Sequence, residues 1–283
     1  MIGLTKRNLL VFFRDRTSMF FSMLAPFIVI GLYVLFLGNA YSDGFGGISS
    51  REFMDNWIMA GLLAVTTVST SMGAFGTMVN DRSKNILKDF YSSPISRARL
   101  TGGYILSSFI ISLIMTLITF ILAEIYIVTN GGALLAFTAF IKVLGILVVS
   151  NFCNTAIIYF IVSLLTSESA YSTASTIIGT LIGFITGIYL PIGNLPAGVQ
   201  WIVKLFPPSH AAALLRQVMM EKPMVSAFDG APAEKLQETK EMLGVVFKFG
   251  SYEVTPVVSI AILLACGALF FLLSMYSISR KKR

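Results

Sequence analysis

Charge is what this sequence has least of. Only 12% of its 283 residues are Asp, Glu, Lys or Arg, about half the share of an average soluble domain. Histidine occurs once, as His210 beside Pro207-Pro208-Ser209, which excludes a two-histidine metal site and reads as a turn or interface residue. Cysteine occurs twice, and Cys153 and Cys266 lie in separate apolar stretches without CxxC spacing, so both read as small packing residues. A GxxxxGK[ST] loop is missing, and with it any phosphate cradle on this chain. The apolar stretches bring no acid, base and nucleophile together, which argues against an enzyme embedded in a membrane.

What is present is apolar length. The sequence is 55% hydrophobic with a mean hydropathy of +0.81, and its apolar runs are about twenty residues long, enough to cross a bilayer as helices. Six spans are expected, at Ser18–Leu37, Trp57–Val79, Tyr104–Val128, Phe140–Leu165, Ser172–Leu190 and Pro256–Ser277. The fold class is therefore all-α membrane protein, with residues 1–283 as one transmembrane domain. Gly38-Asn39-Ala40 resembles a signal-peptide cleavage site, but the first apolar core is too long and is flanked by Arg14-Asp15-Arg16, so it reads as retained.

Lys and Arg set the orientation. They gather in the N-terminal segment (Lys6, Arg7, Arg14, Arg16), in the 80–103 loop (Arg82, Lys84, Lys88, Arg97, Arg99) and in the tail from Arg280 to Arg283. The short opposite loops hold Arg51, with Lys142 at the mouth of the fourth span. Both termini and the 80–103 loop are thus expected in the cytoplasm. The 191–254 segment falls outside and carries as many acidic as basic residues. Its first part is apolar and broken by proline, with two helices too short to span and suited to dipping into the outer leaflet. Its second part, "APAEKLQETKEMLGVVFKFG", reads as an exposed helix.

The remaining polar residues leave alternatives open. Glu124 and Lys142 sit near the outer ends of their helices and could pair across the short loop between them. In the second span Thr66 and Thr70 belong to a hydroxyl-rich run, and the fifth places Gly179, Gly183 and Gly187 at i, i+4 spacing beside Thr176 and Thr180. Such small-residue stripes let helices approach closely in lipid. They serve either packing within the chain or a dimer seam or translocation wall. Residues 1–17 form an amphipathic segment with Leu9, Leu10 and Phe13 on one side, and with Lys6, Arg7 and Arg14 as an interfacial anchor for anionic membrane lipids.

A resemblance runs along nearly the whole chain. The basic start followed by "FFRDRTSMFFSMLAPFIVIGLYVLFLG", with Arg14-Asp15 before the span and Pro26 inside it, resembles the first span of type 2 ABC transporter permeases. Asp81-Arg82, Ile86-Leu87, Ser93-Pro94-Ile95-Ser96-Arg97 and Leu100 are similar to that family's first cytoplasmic loop. Leu195-Pro196, Trp201, Pro207-Pro208 and Arg216 are similar to its segment between spans five and six. Lys84-Asn85 stands where the family often has Gly-Thr, and the external stretch 224–252 is longer than expected.

The resemblance implies a permease subunit of an ATP-driven ABC exporter in a cytoplasmic membrane of bacterial type. The partners it implies are a cytoplasmic ABC ATPase, which binds ATP and Mg, and a second permease copy or a paralogue. No cofactor on this chain and no nucleic acid is expected. A charge-poor interior lined by Thr, Ser and aromatics favours an amphipathic substrate, such as a drug, lipid-linked compound or peptide, moved outward by alternating access. A secondary transporter or a non-transporting assembly factor is the alternative. Coupling to the ATPase is expected through a short helix from Asp81 to Tyr91, ended by Pro94, with Ile86, Leu87 and Phe90 facing the partner and Arg82 and Glu168 nearby. The rival reading of this loop is a solvated basic segment that only fixes topology.

Overall fold

The structure is a computed structural model that describes residues 1–33, 51–92 and 95–280. Thirteen α-helices occupy most of them. The N-terminal segment forms α1 (Ile2–Arg14). It stops at Asp15, whose carboxylate accepts from the Thr17 and Ser18 amides at 3.1 Å and so caps α2 (Arg16–Ser22). After a break at Met23 comes α3 (Leu24–Leu32). Arg14-Asp15 therefore works as a stop for one helix and a start for the next, because an aspartate oxygen satisfies amides that a helix start leaves bare.

Four helices among the described residues are long and apolar enough to cross a membrane. They are α4 (Arg51–Ser83), α6 (Arg97–Thr129), α7 (Phe137–Leu164) and α13 (Pro256–Arg280). These match the expected second, third, fourth and sixth spans, with longer ends. At 33 residues, α4 is about 50 Å long, well beyond a hydrocarbon core of about 30 Å. It is also the hub. Its most apolar stretch is 89% buried against 22% in α13, so α4 faces protein all round while α13 shows most of itself to the surroundings. The exposed side chains of α6, α7 and α13 include Ile121, Ile125, Phe140, Leu264 and Leu272. Such a surface suits lipid.

Two expected spans differ. The described part of Ser18–Leu37 is the broken pair α2–α3, and its remainder lies outside the described residues, as does Gly38-Asn39-Ala40. The fifth expected span, Ser172–Leu190, is α8 (Glu168–Ile185). It ends at Ile185 because the chain turns back at Thr186 and Gly187, the latter at φ +69°, and the amide of Ile188 returns to the Gly183 carbonyl at 3.0 Å. Left-handed backbone of this kind is what glycine permits.

Beyond α8 come a 3-10 turn (Ile192–Asn194), α9 (Ala197–Leu205), α10 (Pro207–Met219), α11 (Glu221–Ala227) and α12 (Ala233–Met242). The two short apolar helices behave differently. Trp201, Ile202 and Leu205 leave one side of α9 exposed, whereas α10 is buried from Pro207 to Leu215 and packs among α4, α7 and α13. Pro207 and Pro208 open α10 where a helix has no amide to lose. The expected exposed helix is shorter than the stretch 231–250: α12 stops at Met242, with Ala233, Glu234, Lys235 and Glu238 exposed and Thr239 buried. It leads to a small hairpin in which Lys248–Phe249 pairs antiparallel with Tyr252–Glu253.

Candidate functional site

One end of the bundle gathers α1, the end of α4, the short α5 (Ile86–Ser92) and the turn between α7 and α8. Asp81 is its centre. Arg7 of α1 pairs with both carboxylate oxygens, one of them at 2.9 Å, and the Tyr104 hydroxyl donates to the same carboxylate at 2.6 Å. The Arg7 guanidinium is held even more firmly protonated than usual by its hydrogen bond to Asp81. Next to it the Asn8 amide donates to Ser107 of α6 at 3.1 Å. Arg82 donates to the Leu165 carbonyl at 2.6 Å, at the open end of α7. The two loops at this end are thus tied to each other and to α1.

Several expected placements change. Arg7 turns inward to the buried Asp81, while Lys6 and Arg14 stay exposed. The face of α1 that turns to protein carries Thr5, Asn8 and Phe12, with Leu9 and Phe13 flanking it and Leu10 outside. The expected single helix from Asp81 to Tyr91 is two pieces, since α4 runs to Ser83 and Asn85 adopts left-handed backbone at φ 61°, a conformation that asparagine tolerates better than most residues. Leu87 packs into the chain's own core with Ile86 and Phe90 half-buried beside it. The apolar face is used at home, leaving Lys84, Lys88 and Asp89 outward. Pro94 lies outside the described residues. Glu168 is exposed in the first turn of α8, behind Ser167, whose hydroxyl caps the helix at 3.1 Å.

The hydroxyl-rich run of α4 is sealed. Thr66 and Thr70 are 0% exposed, packed inside the bundle rather than on an outward face. Thr70 meets Ser112 of α6 at 2.8 Å, Ser71 donates to Ser112 at 3.0 Å, and Asn154 of α7 donates to Thr67 at 2.7 Å. Interhelical bonds of this sort hold apolar helices together where lipid offers no hydrophobic drive. The glycine stripe divides as well. Gly183 is covered by Tyr189, whose ring would lie 2.1 Å from an added Cβ, and Gly187 belongs to the turn. Gly179 has open space beside it, and Thr176 and Thr180 are exposed on the same helix. Only this part of the stripe looks outward. Glu124 and Lys142 do not pair: Glu124 accepts from the Leu135 amide at 3.3 Å, and Lys142 borders a separate cleft with Glu52, Glu221 and Lys222.

Arg216 was legible as a motif residue but not as a site. It is fully buried on α10, with its guanidinium carbon 4.9 Å from the centre of the Trp57 ring. It donates to the Gly187 carbonyl at 3.2 Å, while Nε and Nη1 have no hydrogen-bond partner. Burial lowers its pKa to about 9. Trp57 in turn donates to the Leu243 carbonyl at 2.9 Å, so α4, α10, the end of α8 and the end of α12 meet here. A lone arginine in "AAALLRQVMM" was the available signal, since charge in an apolar stretch is costly. His210 bridges Ser259 at 3.1 Å and the Lys204 carbonyl at 2.9 Å, an interface role as expected, and burial lowers its pKa.

None of the curated proteins compared matches the chain. The family model described as ABC-2 family transporter protein matches residues 48–276, a stretch that takes in α4, α6, α7, most of α13, Asp81 and Arg82, and the buried α10. The chain belongs to the ABC-2 transporter family and is a membrane-spanning transport subunit of the kind that works with an ABC ATPase.

Proposed function

We propose that this chain is one permease subunit of an ATP-driven exporter that moves an amphipathic substrate outward by alternating access. Residues 1–283 act as one transmembrane domain with six crossings, the first formed by α2–α3 and the residues after them and the fifth by α8 with its turn. Both termini and α5 lie in the cytoplasm, where the Lys and Arg residues concentrate. A cytoplasmic ATPase binds ATP and Mg, and a second copy or a paralogue completes the transporter. The outward face of α8 at Thr176, Gly179 and Thr180 is the part of the stripe suited to the seam or the substrate path. Lys6 and Arg14 rest among anionic lipid headgroups.

The observation that carries this reading is the yoke at the Asp81 end. Arg82 to Leu165 and Arg7 to Asp81 join both loops and α1, so a push on α5 is passed to α4, α7 and α8 together. The docking face is the exposed one. Replacing Lys84 and Lys88 by Glu reverses two exposed charges without touching Leu87 or Phe90. The variant is expected to insert and melt like the wild type while losing the copurifying ATPase and substrate-stimulated ATP hydrolysis. Full ATPase recovery with normal stimulation would sink the docking role of α5, and a wild-type chain that transports with no ATPase present would sink the exporter reading.

A further inference from the structure

At the end of the bundle away from α5, the last turns of α6 and the first of α7 part around residues 130–136 and leave a groove of about 710 Å³. Phe120 stacks on Phe140 at 5.5 Å between ring centres, and Ile121, Ile125, Val128 and Leu134 complete an apolar lining. Among the described residues one ionisable group lines it, Glu124. That side chain is 8% exposed. Its Oε2 accepts from the Leu135 amide, and its Oε1 has no hydrogen-bond partner.

A buried carboxylate calls for a counter-charge, and no described cation pairs with this one. Arg51 donates to Asn130 at 2.7 Å and lies 3.8 Å from Asp55, and Lys142 borders the other cleft. The segment 34–50 contains no Lys or Arg. The described residues therefore supply apolar walls, one carboxyl oxygen without a partner and no cation beside it. The volume falls in the range of small-molecule sites.

We infer that this groove binds a single-chain lipophilic amine, with the ammonium group on Glu124 Oε1 and the hydrocarbon body along Ile121, Ile125 and Leu134. A phosphate-bearing headgroup would set a like charge beside the carboxylate, whereas a free amine meets only the opposite one. The inference stands apart from the export reading, because binding is measured on the chain without ATPase or transport.

The test uses the full chain in phosphatidylcholine nanodiscs, with equilibrium binding of radiolabelled dodecylamine and of dodecanol as its uncharged match. Dodecylamine is expected to bind saturably and at least about tenfold more tightly than dodecanol, the size of one charge-assisted hydrogen bond. Glu124→Gln keeps an acceptor for the Leu135 amide and should bring the amine down to the level of the alcohol. Leu134→Trp, which fills the groove from an exposed position, should remove both ligands. Equal binding of amine and alcohol to the wild type, wild-type amine binding by Glu124→Gln, or unchanged binding by Leu134→Trp would each overturn the proposal. Complete displacement of the amine by phosphatidylethanolamine would overturn it in favour of a headgroup site. Should Glu124→Gln fail to fold, the wild-type comparison and Leu134→Trp still decide.

Discussion

Arg216 puts a long cation where its charge is least comfortable. Two of its nitrogens lack acceptors, and the carbonyl of Gly187 and the Trp57 face are its compensation. Replacing a buried charge by an apolar side chain of similar length is often neutral or stabilising by about 1–4 kcal/mol, while removing the bulk leaves a cavity. Arg216→Met is therefore expected to melt at or above the wild-type temperature in detergent, and Arg216→Ala below it. Transport should fall in both, since each unties the end of α8 from α10. A clear drop in the melting temperature of Arg216→Met would mean that the guanidinium contributes more stability than its desolvation costs.

On the scale of elements, α8 shows how far the sequence could be read. Its existence, its polar start and its small-residue spacing were legible because local pattern determines them. What divides the glycines was not, because Tyr189 and the turn at Gly187 reach them only once the chain has folded back. The pair gives a clean experiment: Gly183→Leu meets the Tyr189 ring and should lower the melting temperature and yield, whereas Gly179→Leu has open space and should melt normally but assemble poorly with its partner subunit. Normal assembly of Gly179→Leu would remove that face from the seam. The same contrast explains α5. Periodicity foretold the apolar face of Ile86, Leu87 and Phe90, yet no local signal says whether such a face meets its own bundle or another chain. The four long spans were the easiest part, since length and apolarity alone define them, and the Glu124–Lys142 pair failed because register between two helices is set by their packing.

For the molecule as a whole, the arrangement of charge predicts sidedness. A cysteine placed at exposed Ser92 should react with a membrane-impermeant thiol reagent only from the cytoplasm, and one at exposed Glu238 only from outside, with buried Cys153 silent in both. Reaction of both from one side would mean an even number of crossings between them. The interior raises a further consequence. A helix sits at the middle of the bundle in α10, and the hydroxyls of α4 are already spent on their neighbours, so the described residues of a single copy pack as a wall rather than a pipe. On the reading proposed above, cargo passes along the junction of two such walls, so one broken wall spoils the passage for its intact mate. In a cell making both forms, a well-folded but immobile copy would be inherited as a dominant defect.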